Sequence, residues 1–290
     1  MAITATLVKE LRERTGAGMM ECKKALVECD GDIEAAADLM RTSGAAKADK
    51  KAGRVAADGA VSIKVSDDGK KAVIVEINSE TDFVAKDDNF KAFSNLVVDA
   101  IFDNEPADVA AVNSLATANG DTVEKAREAL IAKIGENIQI RRFEILKTEN
   151  SLVSYQHGAR IGVLVDSSAD SEMARDIAMH IAAVKPICIS DADVPAEDIE
   201  REKSILIAQA ESSNKPAEII EKMIEGRLKK FLAEITLLGQ AFVKDQDKTV
   251  GQLLSSSNAQ VNRFIRLEVG EGIEKKQEDF AAEVMAQVKG

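Results

Sequence analysis

The sequence predicts an α+β protein with two related core subdomains, and three observations carry that expectation. A stretch with strand character folds back through a turn and leads into an amphipathic helix, first over about 60–101 and again over about 152–183. Each unit closes on a similar strand: Glu136-Asn137-Ile138-Gln139-Ile140-Arg141-Arg142-Phe143-Glu144 in the first, Asn262-Arg263-Phe264-Ile265-Arg266-Leu267-Glu268-Val269 in the second. Ahead of both, residues 1 to about 45 carry only helical periodicity. The repeated order of elements reads as an internal duplication, each half a small antiparallel sheet with helices on one face.

The N-terminal segment reads as three short helices. The first spans about Thr4–Arg14 with Leu7 and Leu11 on one face, and Thr15-Gly16-Ala17-Gly18 breaks it. The second, Met19–Glu28, has the stripe Met19, Cys22, Leu26, Cys29, and Met20 lies off it beside Lys23 and Lys24. The third begins after Asp30-Gly31-Asp32, where Asp32 is a suitable N-cap, and carries Ile33, Ala36, Leu39 and Met40. Such a miniature bundle is similar to ubiquitin-associated domains. Met20 with Arg12 and the lysines reads either as contact surface or as ordinary surface. Residues 42–58 are small and basic, a composition that suits a linker or a helical turn.

From Gly59 the period changes to two. Ala60–Val65 alternates as a half-buried strand, Asp67-Asp68-Gly69-Lys70 turns it, and Ala72–Ile77 returns as a buried strand. A helix over Asn89–Ile101 points Phe90, Phe93, Leu96, Val97 and Ile101 inward. In the second unit Leu152–Tyr155 is a strand, Gln156-His157-Gly158-Ala159 the turn, Ile161–Val165 the return, and about Glu172–Ala183 the helix. All four prolines sit at breaks: Pro106 and Pro186 after helices, Pro195 and Pro216 before them. Between Pro195 and Gly239 lie two helices split by Ser212-Ser213-Asn214-Lys215. This helical hairpin either lies on the core or projects and pairs with another copy. The end, Glu278–Lys289, places Phe280, Val284, Met285 and Val288 on one helical face for docking. The expected division is 1–54 (three helices and linker), 55–150, 151–270 with the hairpin at about 196–235, and 271–290.

One stretch stands apart, Asn78-Ser79-Glu80-Thr81-Asp82-Phe83-Val84-Ala85-Lys86, between the buried strand and the following helix. Junctions of this kind are usually polar. Phe83 and Val84 there are either tucked onto the local core or offered to a partner.

Composition narrows what that partner is. The 290 residues are a length for about two domains, and 45% hydrophobic residues suffice for real cores. A net charge of -12, 3% aromatics and no Trp argue against a nucleic-acid surface, which needs cationic patches and stacking platforms. A GTPase, another protein or a small ligand suits better. The start lacks a basic segment followed by an apolar run, and no transmembrane stretch is visible. Cys22 and Cys29, seven residues apart on one helix, lie about 10 Å from each other at 1.5 Å per residue. That exceeds the ~7 Å reach of a disulfide, and Cys188 has no obvious partner, so the cysteines suit a reducing cytoplasm.

Signatures of covalent chemistry are absent. There is no phosphate-binding loop, no Gly-X-Ser-X-Gly, and the two histidines, His157 and His180, have no ligand spacing. Gly270-Glu271-Gly272 lacks the third glycine and βαβ context of a nucleotide loop. No enzyme activity, cofactor or metal is expected, and His180 reads as a satisfied, partly buried residue.

Several of these motifs together resemble one family. Leu7 to Leu26, Glu80-Thr81-Asp82-Phe83-Val84-Ala85, Lys133-Ile134-Gly135-Glu136-Asn137, His157-Gly158-Ala159-Arg160-Ile161-Gly162-Val163 and Val269-Gly270-Glu271-Gly272-Ile273-Glu274 occur in the order found in bacterial elongation factor Ts and span essentially the whole chain. The resemblance implies a guanine-nucleotide exchange factor for the GTPase elongation factor Tu. It implies that the ubiquitin-associated-like domain docks on Tu's GTP-binding domain, that the hairpin serves dimerisation, and that Thr81, Asp82, Phe83 and Val84 dislodge Mg²⁺ from Tu. Arg12, Met19, Met20 and Lys23 would hold the partner from one side, His157 and Gly158 from the core. An adaptor without exchange activity would lack the Thr81–Val84 motif; an enzyme would need a nucleophile–base pair.

Overall fold

Local signals place the helix ends. The computed structural model describes residues 3–118, 120–211 and 216–274. Thr4 caps α1 (Ala5–Thr15) through its hydroxyl, and Gly16 closes it in the left-handed conformation. α2 (Met19–Glu28) follows Gly18. Asp32 caps α3 (Ile33–Ala52) by accepting the Ala35 N–H at 3.1 Å. Val8, Leu11, Cys22, Ala25, Leu26 and Ala36 form the core of these helices, with Leu7, Cys29, Ile33, Leu39 and Met40 packed around it.

Two expectations change here. Met19 is not part of the inward stripe but exposed, and the stripe closes on Ala25 instead. The small, basic stretch that reads as a linker or a helical turn is continuous helix as far as Ala52. Gly44 in its middle is buried, and a Cβ there would sit 3.8 Å from the Ala132 methyl. The small residues thus let α3 lie close against α7 (Val123–Ile134), a helix that the sequence reading did not delimit.

The observed architecture is α+β. β1 (Asp58–Val65) and β2 (Lys71–Ser79) join with β3 (Gln139–Lys147) in a sheet ordered β1-β2-β3. β1 is buried over Gly59–Val61 rather than alternating throughout. Gly59 has φ +134 and its Cα lies so close to β2 that a Cβ would meet the Ile77 carbonyl oxygen at 2.1 Å. β2 is buried along almost its whole length, as its apolar run suggests. α4 (Asp82–Lys86) and α5 (Asp88–Asn104) follow, α5 burying Phe90, Phe93, Val97 and Ile101. α6 (Val109–Asn113) leads to α7, which contacts both α3 and α5.

β4 (Ser151–His157) pairs antiparallel with β5 (Ile161–Ser167), from Ser151 opposite Ser167 to His157 opposite Ile161. α8 (Ser171–Val184) lies on both strands. α9 (Ala196–Glu211) and α10 (Ala217–Ile235) pair as the helical hairpin, with Pro216 at the N-cap of the second. β6 (Ala241–Phe242), β7 (Asp245–Thr249) and α11 (Val250–Ser256) then lead to β8 (Val261–Glu268), which completes the sheet β4-β5-β8. The expected helix over Glu278–Lys289 and the break Ser212–Lys215 lie outside the described residues. Among the described residues no helix is long and apolar enough to cross a membrane, and Cys22, Cys29 and Cys188 are free thiols.

The chain groups into two compact units that do not follow sequence order. The first comprises the described residues of 1–62, 75–143 and 268–290, and the second those of 63–74 and 144–267. The core of the second joins Val163 and Val165 of β5 to Ile177 and Ile181 of α8, Leu237, Phe242, Val250 and Val261.

His180 is fully buried beside this core. Its Nε2–H donates to the Gln240 side-chain oxygen at 2.9 Å, and its Nδ1 accepts the Val243 N–H at 3.3 Å. Burial holds its pKa below the ordinary 6.5 and the Gln240 bond only partly opposes this. The folded state therefore favours the neutral ring. The stability this contributes is complete above the unfolded pKa and is lost as pH falls below it toward the folded value. Thermal unfolding followed from about pH 7.5 to about pH 5.5 should show the wild-type advantage over His180→Gln shrinking; a constant gap would mean that His180 does not titrate differently on folding.

Candidate protein-contact surface

Thr81 to Val84 sit at the start of α4, a helix of only five residues. So short a helix is not stable by itself in water, and both of its ends are held from outside. Thr81 is the N-cap, but its hydroxyl does not cap the helix. Instead the hydroxyl donates to Glu136 Oε1 at 2.7 Å, and the Thr81 N–H donates to Glu136 Oε2 at 3.0 Å. In return the Asn137 N–H donates to Glu80 Oε1 at 2.6 Å, and Arg54 stands 3.5 Å from that oxygen. At the other end Asp87 closes α4 and caps α5, accepting the N–H groups of Asn89 at 2.8 Å and Phe90 at 3.3 Å. The Asn89 side chain, with these backbone N–H groups, holds the Asp87 carboxyl below its usual range despite the opposing desolvation.

Consecutive residues of a helix point about 100° apart. Val84 and Ala85 turn inward and are buried, which leaves Phe83 outward and 79% exposed. The Asp82 carboxylate pairs with Lys86 at 2.7 Å, and the Lys86 ammonium lies 5.8 Å from the centroid of the Phe83 ring. Of the two readings of the junction, the inward one holds for Val84 and the outward one for Phe83.

In the same unit, Met19 and Met20 stand 55% and 67% exposed at the start of α2, with Arg12 and Lys23 also exposed. Lys133 reaches this turn: its Nζ lies 3.1 Å from where a Gly16 Cβ would be, while it donates to Asn89 Oδ1 at 2.7 Å. One lysine thus touches both the turn ahead of Met19 and the start of α5. In the second unit, His157 is the last residue of β4 rather than part of the turn. It is exposed, with the Tyr155 hydroxyl 3.3 Å from its Nδ1. Gly158 follows at φ +59, with open space where a side chain would be.

Glu80, Glu136 and Asn137 stand within the motifs of the sequence, where nothing gives them a role. Their partners lie 55 to 57 residues away, a separation over which no local pattern of the sequence points to them. Among the described residues no group of three or more His, Cys, Asp and Glu is placed to hold a metal ion.

The geometry defines an α+β protein that presents Phe83 outward from a short, externally anchored helix and Met19 and Met20 outward from the start of α2. Comparison with known proteins makes this specific. The family model described as Elongation factor TS matches residues 80–271. A protein called elongation factor Ts from Thioalkalivibrio sulfidiphilus is 60% identical over 293 residues, covering 100% of both chains. That of Alkalilimnicola ehrlichii is 58% identical over 292 residues, again covering 100% of each. That of Halorhodospira halophila is 57% identical over 290 residues, covering 100% of this chain and 99% of the relative. The chain belongs to the elongation factor Ts family, translation factors of the nucleotide-exchange type.

Proposed function

We propose that this chain is the guanine-nucleotide exchange factor for elongation factor Tu and acts in the cytoplasm through protein contacts alone. It binds Tu–GDP, promotes GDP release by dislodging Mg²⁺ and disturbing the phosphate site, and stays bound until GTP enters. Mg²⁺ bridges a bound nucleotide's phosphates and its GTPase. Shifting it leaves phosphate charge less compensated and loosens the nucleotide. Phe83 is the wedge, entering between helices of Tu near the switch region, with Asp82 and Val84 completing the contact and Thr81 holding its base. Arg12, Met19, Met20 and Lys23 grip the GTP-binding domain; His157 and Gly158 make a second contact. The observation that carries this reading is the outward Phe83 on a helix anchored at both ends.

Exchange is then negative coupling between two ligands of one GTPase, and it is reciprocal: nucleotide must also expel the factor. The wedge alone supplies too little. Burial of one Phe contributes about 1.5–3 kcal/mol, one to two decades of affinity, so the remainder comes from the flanking contacts. The division into 1–54, 55–150, 151–270 and 271–290 assigns these contacts to separate surfaces. The hairpin's outward Ile205, Ile207 and Ile219 offer a surface for a second copy. Direct nucleic-acid contact is disfavoured by the net charge of -12.

The test is release of a fluorescent GDP analogue from purified Tu at fixed Mg²⁺, with and without this chain. Large acceleration at substoichiometric amounts is expected. A stable complex with no acceleration would make the protein an adaptor.

A further inference from the structure

An exposed aromatic can act as a wedge only if its backbone resists being pushed back. In α4 that resistance must come from elsewhere, since five residues do not form a self-supporting helix. The turn between α7 and β3 supplies it. Glu136 takes both donors of Thr81, while the neighbouring Asn137 N–H is taken by Glu80. The turn is itself tied down from α3. Lys51 donates to the Gly135 carbonyl, and the buried Asn137 amide donates to the Arg54 carbonyl at 2.7 Å. The same turn therefore joins the end of the N-terminal helices to the base of the Phe83 helix.

We propose that Glu136 is a positioning residue for exchange: its carboxylate, clasped on the N–H and hydroxyl of Thr81, fixes the start of α4 so that Phe83 is presented rigidly to the partner. The inference rests on the exchange reading above for its consequence, but not for its geometry. Charge-assisted hydrogen bonds are shorter and stronger than neutral ones. Two of them on one residue fix both its backbone and its rotamer. Glu136 itself need not touch Tu. Its effect passes through Thr81, so its loss should lower the rate within the complex more than complex formation.

The chain has no Trp, so Phe83→Trp gives a single reporter at the tip. In that background, time-resolved anisotropy of the free protein reads nanosecond motion of the side chain and its local backbone. Glu136→Ala should shift amplitude into the fast local component, and Glu136→Gln, which keeps one acceptor oxygen, should restore part of it. With Phe83 intact, Glu136→Ala should reduce the maximal rate of stimulated GDP release roughly tenfold, the scale of losing hydrogen bonds to a charged group. Half-saturation should change less, and Glu136→Gln should fall between. If Glu136→Ala does not fold, Thr81→Val, which removes the hydroxyl donor alone, takes its place with the same expected directions.

Unchanged anisotropy overturns the proposal, whether or not the rate falls, because a rate loss without loosening means Glu136 acts by another route. Loosening without a rate loss overturns it as well when Phe83→Ala slows exchange. Loosening where Phe83→Ala itself leaves exchange unaffected retains the clasp and rejects the wedge reading instead.

Discussion

Phe83→Ala should slow stimulated GDP release by about one to two decades at saturating factor and weaken binding to Tu by less. The magnitude follows from the area the ring can bury, about 1.5–3 kcal/mol if it becomes fully enclosed. The partition between rate and affinity follows from when it becomes enclosed. In the free chain the ring is 79% exposed, so its removal costs the fold little, and the thermal midpoint should stay close to that of the wild type. If the ring reaches its pocket only as the Mg²⁺ site distorts, its burial energy belongs to the state from which GDP leaves. Interactions realised only in that state raise the rate, whereas interactions present equally before it raise affinity. Titrating the factor in stopped-flow release separates the two, since the plateau reports the rate and the half-saturation the binding. Equal losses in both would make Phe83 an anchor rather than a wedge. Phe83→Leu, which keeps apolar volume but not ring length, should lie between.

What the sequence could reveal here depended on whether the cause was local. β2 was legible because Ala72–Val75 and Ile77 make a run too apolar to lie anywhere but in a core. α5 and α8 were legible from their periodicity; their C-terminal ends lie two residues before Pro106 and Pro186, and α9 and α10 start directly after Pro195 and Pro216. The β6–β7 pair was not: two residues opposite the polar run Asp245–Thr249 give neither alternation nor length. Met19 shows a different limit. A stripe assigns a side of a helix but not how far along it the neighbouring helices extend, and Met19 is the first residue of α2. The length of α3 was hidden because its small, basic residues suit a linker as well as a helical turn, whereas at Gly44 the missing side chain serves close packing against α7. At the contact surface the exposed tip was visible as an aromatic in a polar junction. Its supports were not. Glu136 meets Thr81 across 55 residues of chain, a separation over which no periodicity acts, so a motif could be recognised there without its geometry being deduced.

The same kind of long-range contact makes Glu76 a side chain whose loss should cost the first unit heavily. It is the one charged residue within the apolar run of β2, and it is wholly buried. Its carboxylate accepts from Arg141 at 2.9 Å, Arg142 at 2.6 Å, Asn78 at 3.1 Å and the Gly270 N–H at 2.8 Å. Arg141 also donates to the Glu271 carbonyl, and Arg142 to that of Glu268 at 3.3 Å. Gly270 can stand here only because it has no side chain, for a Cβ would lie 2.2 Å from the Ala57 carbonyl oxygen. The chain beyond β8 is thus secured on β2 and β3 by the Glu76 carboxylate and the two arginines it holds. Glu76→Ala removes the acceptor shared by two guanidinium groups and a backbone N–H, leaving Arg141 only the Glu271 carbonyl and Arg142 its contacts with Glu268 and Glu271. Breaking a buried ion pair costs about 3–5 kcal/mol, and because both arginines are partly exposed and can turn to water, the low end applies. At 2–4 °C per kcal/mol for a chain segment of this size, the midpoint for the first unit should fall by roughly ten degrees. Glu76→Gln should fall less, since its oxygen can still serve Gly270 and Arg141. Acidification provides an independent check. Burial pushes the Glu76 carboxyl up, but the bonds from Gly270, Arg141, Arg142 and Asn78 outweigh it and leave the pKa below its ordinary 4.5. The stabilisation is therefore present above the unfolded pKa and lost as pH falls through the folded value. The gap between wild type and Glu76→Ala should be constant near neutrality and narrow only below about pH 4.5. A gap that narrows already at pH 6 would mean that the carboxylate is protonated in the folded state and that the arginines are not what holds it.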